Sequence, residues 1–318
     1  MKPITSRLDP KAHAATPQVS APGAQSPGTV HDYCRSIMES GDLETKLSPP
    51  TSVEGLCDDS PGPALLLERP TRNPGLAMGP GSDALPRPGQ LRDIVHRRTC
   101  LARFAHHELQ AVEYFAWALL RWPEMPKLLR RGLLSALEDE QRHCRLYLDR
   151  LQAQGGDFET GDHSDYFWRQ APAIAASTAG PRAFLSAMGL TLEQANLDFT
   201  LTYRDGFAEA GDSESAAVCQ RVHDEEIAHV ALAANWLRRL EAQEKEIEPD
   251  AVDDWAAYVQ TVPFPMGPAR AKGRRFEVGA RRRAGLSEEM IEAVRVARST
   301  QENPQGAPEG APIRNARR

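Results

Sequence analysis

Apolar side chains recur at helical spacing through the middle of this chain. From about residue 90 to residue 122 they fall three or four positions apart, and Pro123 then removes a backbone hydrogen-bond donor. The pattern predicts a first helix, helix A, over residues 90–122. Its apolar positions are Leu91, Ile94, Leu101, Phe104, Leu109, Val112, Phe115 and Leu119.

Three further helices are predicted after helix A. Helix B covers residues 126–154, where two consecutive glycines end the pattern. Helix C covers residues 181–210 and begins with a proline in its first turn, and helix D covers residues 213–246. Residues 155–180, between helices B and C, form a long connection. The expected fold is all-α, a four-helix bundle in which this crossover joins the A–B pair to the C–D pair.

The flanks of the chain lack this periodicity. Residues 1–30 are poor in large apolar side chains and cannot bury enough surface to offset the entropy of ordering, so disorder is predicted. Residues 300–318 are expected to form a disordered tail. A short helix and a Pro-rich connector are predicted over residues 31–89, and a helical extension with a basic segment over residues 248–299. The bundle would then occupy residues 90–247.

Composition narrows the classes of function. The formal net charge is −6 and the pI is near 5.9, so the whole chain has no overall attraction to nucleic acid or anionic membrane. Five scattered cysteines without a C-x-x-C pair argue against a disulfide framework or a thiolate zinc site, and Cys144 and Cys219 are expected to be core residues. No apolar run matches a signal peptide or a membrane span, so a soluble cytoplasmic protein is expected.

The candidate chemistry lies in a motif that occurs twice. Helices B and D each contain E-x-x-H, and side chains three positions apart project from one face of a helix. A di-metal carboxylate site in a bundle needs two such helices and one glutamate from each of the other two. The six candidate ligands are Glu108, Glu140, His143, Glu193, Glu226 and His229.

The spacing of the four glutamates supports this interpretation. Glu108 and Glu140 are 32 positions apart and Glu193 and Glu226 are 33 apart, so the chain presents the same layout twice. A single E-x-x-H motif is usually a solvated polar face. Four inward-facing carboxylates would carry a severe desolvation cost without a cation, and the pair of motifs therefore favours a metal site.

Residues beside the candidate ligands support weaker predictions. His107 would hydrogen-bond a ligand or pack as a core histidine. His223 would act as an outer base, an extra ligand or a core residue. Thr200 could hydrogen-bond a metal-bound oxygen species, although a bond to its own helix backbone is the more common role. With Asn196 and Phe115, Thr200 is expected to line a cavity.

The sequence around these motifs resembles known families. The segment HHELQAVEYFAWALLRWPEMP is similar to the first helix of bacterioferritins, with Glu108 in the ligand position and Phe115 where those proteins tend to carry a tyrosine. Over about residues 31–298 the chain more closely resembles a bacterial ferritin-like family, domain of unknown function 455. The segments that carry this resemblance are ETKLSPP, DEQRHCRLYLDRL, MGLTLEQANLD, HDEEIAHVALAANWL and FEVGARRRAGLSEEM.

The resemblance to ferritin-like proteins implies a di-iron oxidase, a hydroxylase, a peroxide-consuming enzyme or an iron-storage protein, and the fold alone does not choose among them. We expect an oxygen-activating di-iron oxidoreductase that uses dioxygen or peroxide and a small organic substrate. Two iron ions are the expected cofactor, with manganese or a mixed Mn/Fe pair as the alternative. A non-catalytic iron-handling protein and a helical interaction module are the competing classes. No membrane partner is expected, and a small homo-oligomer is compatible with the sequence.

One basic segment departs from the acidic balance of the chain. Residues 270–283 contain seven basic residues and a single acidic residue, Glu277. The basic residues are Arg270, Lys272, Arg274, Arg275, Arg281, Arg282 and Arg283. One group of ferritin-like enzymes hydroxylates modified adenosines in transfer RNA, so an RNA substrate is one hypothesis for this segment. The favoured interpretation is that it pairs with acidic helix ends such as Glu241, Glu244 and Glu246, or lies solvated.

Overall fold

A computed structural model describes residues 28–50, 55–80 and 84–298 of the chain, and these residues are predominantly helical. The disorder predicted for residues 1–30 and 300–318 lies outside the described residues, apart from residues 28–30. There, the Thr29 side chain accepts a hydrogen bond from the backbone of Asp32 and caps the first helix. Among the described residues, none of the helices combines the length and apolarity needed to cross a bilayer.

The N-terminal flank packs against the long helices. Lys46 Nζ lies 3.1 Å and Arg72 Nη2 lies 2.7 Å from the carboxylate of Glu113, and all three side chains are nearly or fully buried. Two buried cations on one carboxylate tie this flank to the core, a contact that a Pro-rich composition did not predict. The elements of the flank are α1 (Val30–Glu39), α2 (Leu43–Leu47), a 3-10 turn (Pro74–Leu76), β1 (Met78–Gly79) and a second 3-10 turn (Pro88–Arg92).

Two long helices follow, close to the predicted helices A and B. Helix α3 (Ile94–Arg121) begins at Asp93, whose side chain accepts from the second backbone amide of the helix, and it ends before Pro123. Helix α4 (Lys127–Ala153) ends where Gly155 adopts a φ of 71°. That left-handed conformation costs glycine little, because it has no Cβ to clash. The two helices pack along each other.

The predicted helix C is interrupted. It consists of α6 (Pro181–Ala187), a π-helical turn (Met188–Glu193) and α7 (Gln194–Glu209). The Thr191 hydroxyl donates to the carbonyl of Ser186, which satisfies a backbone group that the wider turn displaces. A Cβ on Gly189 would lie 2.2 Å from that of Ala233, so the turn packs directly on the last long helix. Such turns are frequent at functional sites.

The last long helix, α8 (Ser213–Lys245), corresponds to the predicted helix D and is capped by the Asp212 side chain. It packs against α7 along its length and also against α4, so it links the two helix pairs. The crossover before helix C contains α5 (Ala171–Ala176) and β2 (His163–Ser164), which pairs in parallel with β1.

Over its described residues, the C-terminal extension contains three short α-helices. The partners of its basic segment differ from those expected. Arg281 is fully buried and pairs with Asp198 of α7 at 2.8 Å, while Arg275 reaches Asp205 at 2.6 Å. The prediction that the acidic end of α8 pairs with the segment is wrong for Glu241 and Glu244, which instead pair with an arginine of α6. The elements are α9 (Asp254–Thr261), a 3-10 turn (Pro268–Arg270), α10 (Val278–Arg283) and α11 (Glu288–Val296).

Candidate metal centre

Four elements of the helical core deliver side chains to one buried cluster. Helix α3 carries Glu108, α4 carries the motif at residues 140–143, the π turn ends on Glu193, and α8 carries the motif at residues 226–229. None of the six predicted ligand residues is more than 5% exposed. The structure therefore brings together all six residues that the sequence pattern singled out.

The six residues form two overlapping groups. The groups share two glutamates, and each adds one glutamate and one histidine: Glu108, Glu140, His143 and Glu226 in the first, and Glu140, Glu193, Glu226 and His229 in the second. Within each group the potential ligand atoms all lie within 4.8 Å of one another. Donors this close can surround one cation at bond lengths of about 2.0–2.2 Å. Two cations would then share Glu140 and Glu226.

The histidines point into the cluster through their Nδ1 atoms. Nδ1 of His229 lies 3.0 Å from Oε1 of Glu140 and 3.3 Å from Oε2 of Glu193. It also lies 3.4 Å from Oε2 of Glu226, and Nδ1 of His143 lies 3.4 Å from Oε2 of Glu140. One proton on a ring nitrogen cannot satisfy three carboxylates at once, whereas a cation among them can.

Burial and crowding shift the pKa values of these groups. Burial, followed by repulsion from neighbouring carboxylates, raises the pKa of Glu108 and that of Glu193 well above their usual values. Burial alone would raise the pKa of Glu140. The imidazoles of His143 and His229 have the larger combined effect, so the pKa of Glu140 lies below its usual value. Burial alone would lower the pKa of His143. Attraction between the Glu140 carboxylate and the charged imidazole helps to raise the pKa of His143 to about 9 instead. Buried carboxylates this close together therefore oppose one another's ionisation.

The cluster fits a pair of divalent cations. Both carboxylate oxygens of Glu140, Oε2 of Glu226 and Nδ1 of His143 are buried and make no hydrogen bond of good geometry, although the imidazole nitrogens lie within 3.4 Å of these oxygens. Orphaned buried polar atoms are costly, and they are rare unless something else contacts them. Two divalent cations would balance the charge of the four carboxylates. The donor set of carboxylate oxygens and imidazole nitrogens suits iron, manganese or zinc.

Two further carboxylates, which the sequence analysis missed, hold the histidines from outside the cluster. Oδ2 of Asp139 lies 3.1 Å from Nε2 of His229, and Oε2 of Glu225 lies 2.7 Å from Nε2 of His143. Each carboxylate therefore orients the histidine of the opposite motif. Arg142 Nη2 donates to both, at 2.7 Å to Asp139 and 2.8 Å to Glu225. The available signal was an acidic residue immediately before the glutamate of each motif.

We expect Asp139→Asn to weaken metal binding about 10- to 100-fold. The Asp139 carboxylate orients the His229 ring and makes that imidazole a more basic ligand, and the substitution removes both effects. The measurement is a competition titration with a chelator of known affinity for manganese or iron. Asp149→Asn is the matched control, since Asp149 is exposed on the same helix. Equal affinities for the two variants would contradict this role of Asp139.

The other predicted neighbours are distributed around the centre. The Asn196 amide donates to Oε1 of Glu226 at 3.0 Å, so this residue contacts a shared carboxylate directly. The Thr200 hydroxyl donates to the backbone carbonyl of Asn196 at 2.5 Å, so it bonds to its own helix, as buried threonines commonly do. His223 is buried, and its Nδ1 lies 3.3 Å from the same hydroxyl. The ring of His107 stacks on that of Phe167.

A cavity of about 380 Å³ reaches Glu108 and Glu193. Of the three residues predicted to line a cavity, only Asn196 lies in its wall. Phe115 instead packs edge-on against the rings of Phe184 and His229, beside a separate small pocket. Helical spacing predicted that Phe115 lies on the same helix face as Glu108. The spacing does not show on which side of the metal centre the cavity opens.

Comparison with known proteins gives one match. A family model described as "Protein of unknown function (DUF455)" matches residues 34–292. No curated protein and no solved structure matches this chain.

Proposed function

The chain belongs to the DUF455 family, and we propose that this member is a ferritin-like di-iron protein that activates dioxygen to oxidise a small organic substrate. The observation that carries the proposal is the pair of overlapping ligand groups that share Glu140 and Glu226. Two E-x-x-H helices with one glutamate from each of two others are the donor set of di-iron and di-manganese bundles. Iron is our first choice of metal, and manganese or a mixed pair is the alternative.

The fold that we propose for residues 90–247 is the ferritin-like four-helix bundle. Its support is the packing of α3 on α4 and of α7 on α8, with α8 also packed on α4. The crossover over residues 155–180 lies between the two pairs. The π turn at residues 188–193 is a local departure that places Glu193 at its last position.

In this proposal the six residues of the centre are divided between two metal positions. Glu140 and Glu226 would help to hold both metal ions, Glu108 and His143 would complete the ligands of one, and Glu193 and His229 would complete those of the other. Bound iron would supply the electrons that reduce dioxygen. Burial of the whole cluster excludes bulk water, which strengthens every electrostatic contact within it.

The cavity beside the centre favours an enzyme over an iron-storage protein. An iron-storage site must admit hydrated metal ions, for which a polar route is needed. Aromatic and aliphatic side chains dominate the walls of this cavity, including Phe104, Phe199 and Leu192. Such walls suit an organic molecule.

Two other hypotheses have less support. An RNA substrate has less support because three of the seven cations of the basic segment, Arg275, Arg281 and Arg282, each pair with a carboxylate of the chain itself. A purely structural interaction module gives no role to a buried cluster of four glutamates and two histidines. All five cysteines are unpaired thiols, which supports a reducing compartment such as the cytoplasm.

We expect protein loaded with ferrous iron under anaerobic conditions to consume dioxygen rapidly when it is admitted, and to develop ferric absorbance. An oxygen electrode and stopped-flow absorbance measure the two signals, with zinc-loaded protein as the redox-silent control. Oxygen uptake should stop once about two iron ions per chain are oxidised. Absence of uptake would contradict the proposal, and continued oxidation that builds a mineral would instead favour iron storage.

A further inference from the structure

The cavity beside the metal centre has two chemically different ends. At the inner end lie Glu108 and Glu193, which are 5% and 2% exposed. At the outer end lie Arg270 and Phe199, which are only partly covered, with Phe199 37% exposed. A molecule in the cavity would therefore extend from the proposed metals toward a cation near the surface.

The walls between these ends are mainly apolar, with His107 and Asn196 as their polar members. The ring of Phe104 packs edge-on against that of Tyr203, with 5.1 Å between centroids, and Met188 and Leu192 of the π turn face the same space. Aromatic walls of this kind favour a flat or otherwise apolar body, because its burial releases water from apolar surface.

Among the described cations of the basic segment, Arg270 is the one that lines the cavity. One Nη atom donates to the hydroxyl of Tyr166 at 3.0 Å, but among the described residues no carboxylate lies within ion-pair distance of its guanidinium. Apart from Glu108 and Glu193, whose charge the metals would neutralise, none of the residues that line the cavity is acidic. The guanidinium always carries its charge and has several donors in one plane, a geometry that matches a carboxylate.

The cavity also sets the size of a ligand. At about 30 Å³ for each water, a volume of 380 Å³ corresponds to roughly a dozen water molecules. This lies at the lower end of the range for small-molecule sites. The space is sufficient for a single substituted ring.

We propose that this cavity binds a small aromatic or similarly apolar carboxylic acid. The carboxylate would bind Arg270 with the Tyr166 hydroxyl beside it, and the apolar end would lie toward Glu108 and Glu193. This inference rests on the proposed function, since it makes the acid the substrate class of that same centre. It assigns the choice of substrate to a residue of the C-terminal extension that lies outside the four long helices.

The test compares two probes of nearly equal shape, 3-phenylpropanoate and its uncharged amide. Calorimetric titration of the full-length, manganese-loaded protein should show the acid binding roughly tenfold more tightly, as expected for one hydrogen-bonded ion pair. Arg270→Gln should abolish that preference. Arg274→Gln is the matched control, because Arg274 is exposed in the same segment, and it should keep the preference. Tyr166→Phe should reduce the preference, because Arg270 then loses the hydroxyl that orients it.

Three outcomes would overturn the proposal. Equal affinities for acid and amide would remove the role of charge. A preference that survives Arg270→Gln but disappears when the metal is removed would show that the carboxylate binds at the inner end instead. Loss of the preference in Arg274→Gln would indicate attraction by the whole basic segment rather than by Arg270.

The same measurements separate this inference from the proposed function. Binding of the acid through Arg270 in a protein that does not react with dioxygen would leave the binding site for the acid standing and reject the oxidative function. Dioxygen consumption without a preference for the acid would do the reverse.

Discussion

Replacing Glu140 by alanine is expected to remove most of the metal from both positions, because this carboxylate belongs to both ligand groups. The unaltered protein should bind about two ions per chain. Glu140→Ala should bind well below one, whereas Glu108→Ala, which belongs to one group only, should retain about one. Elemental analysis after gel filtration measures these ratios, and circular dichroism checks that each variant keeps its helices.

Glu138→Ala serves as the control for this experiment. Glu138 lies two positions before Glu140 on α4 and belongs to neither ligand group. Its substitution should leave about two ions per chain. His229→Ala is an independent variant in the other motif, and full retention of metal in both Glu140→Ala and His229→Ala would reject the ligand assignment.

The sequence predicts the long helices well because their signals are local. Pro123 and the glycines at 155 and 156 act on the backbone at their own positions, so the ends of α3 and α4 fall close to the predicted ends. Four of the six candidate ligands follow from the same local rule, since an E-x-x-H spacing selects one helix face without knowledge of the fold. Glu108 and Glu193 follow instead from their spacing to those motifs. The convergence of all six in one buried cluster depended only on packing those faces inward.

The π turn illustrates what the pattern could not show. One extra residue in a turn rotates everything after it by about 100°, and apolar spacing over a buried helix does not register so small a change. Residues 188–193 are buried apart from a partly buried leucine, so the alternation of polar and apolar positions that would reveal the shift is absent. The turn depends on contacts that are distant in sequence, such as that of Gly189 with Ala233.

Residues from the flanks were missed for a similar reason. Leu85 from the N-terminal connector and Arg270 from the C-terminal extension both line the cavity, yet each is far in sequence from the ligands. Composition distinguished these flanks from the predicted bundle. It carried no information about where they pack, because that is decided by long-range pairs such as Lys46 with Glu113.

The buried pair of Arg281 and Asp198 is expected to contribute more to stability than any exposed pair of the basic segment. Both side chains are 0% exposed, and Asp198 also accepts from the backbone amides of Gly273 and Glu277 at 2.9 and 2.7 Å. Asp198→Ala would therefore leave a buried guanidinium and two amides without their acceptor. Breaking one side of such a pair costs about 3–5 kcal/mol of unfolding free energy.

Arg282→Ala provides the contrast that makes this prediction specific. Arg282 pairs with Glu288 in the same segment, but the two side chains are 60% and 68% exposed, so the loss should be at most about 1 kcal/mol. Urea unfolding followed by circular dichroism measures both variants. Asp198 of α7 contacts Gly273, Glu277 and Arg281 of the basic segment. Loss of these contacts should therefore also loosen the packing between α7 and the segment that carries Arg270. We therefore expect Asp198→Ala to weaken binding of 3-phenylpropanoate as well. Similar unfolding free energies for Asp198→Ala and Arg282→Ala would show that the extension is not anchored through this pair.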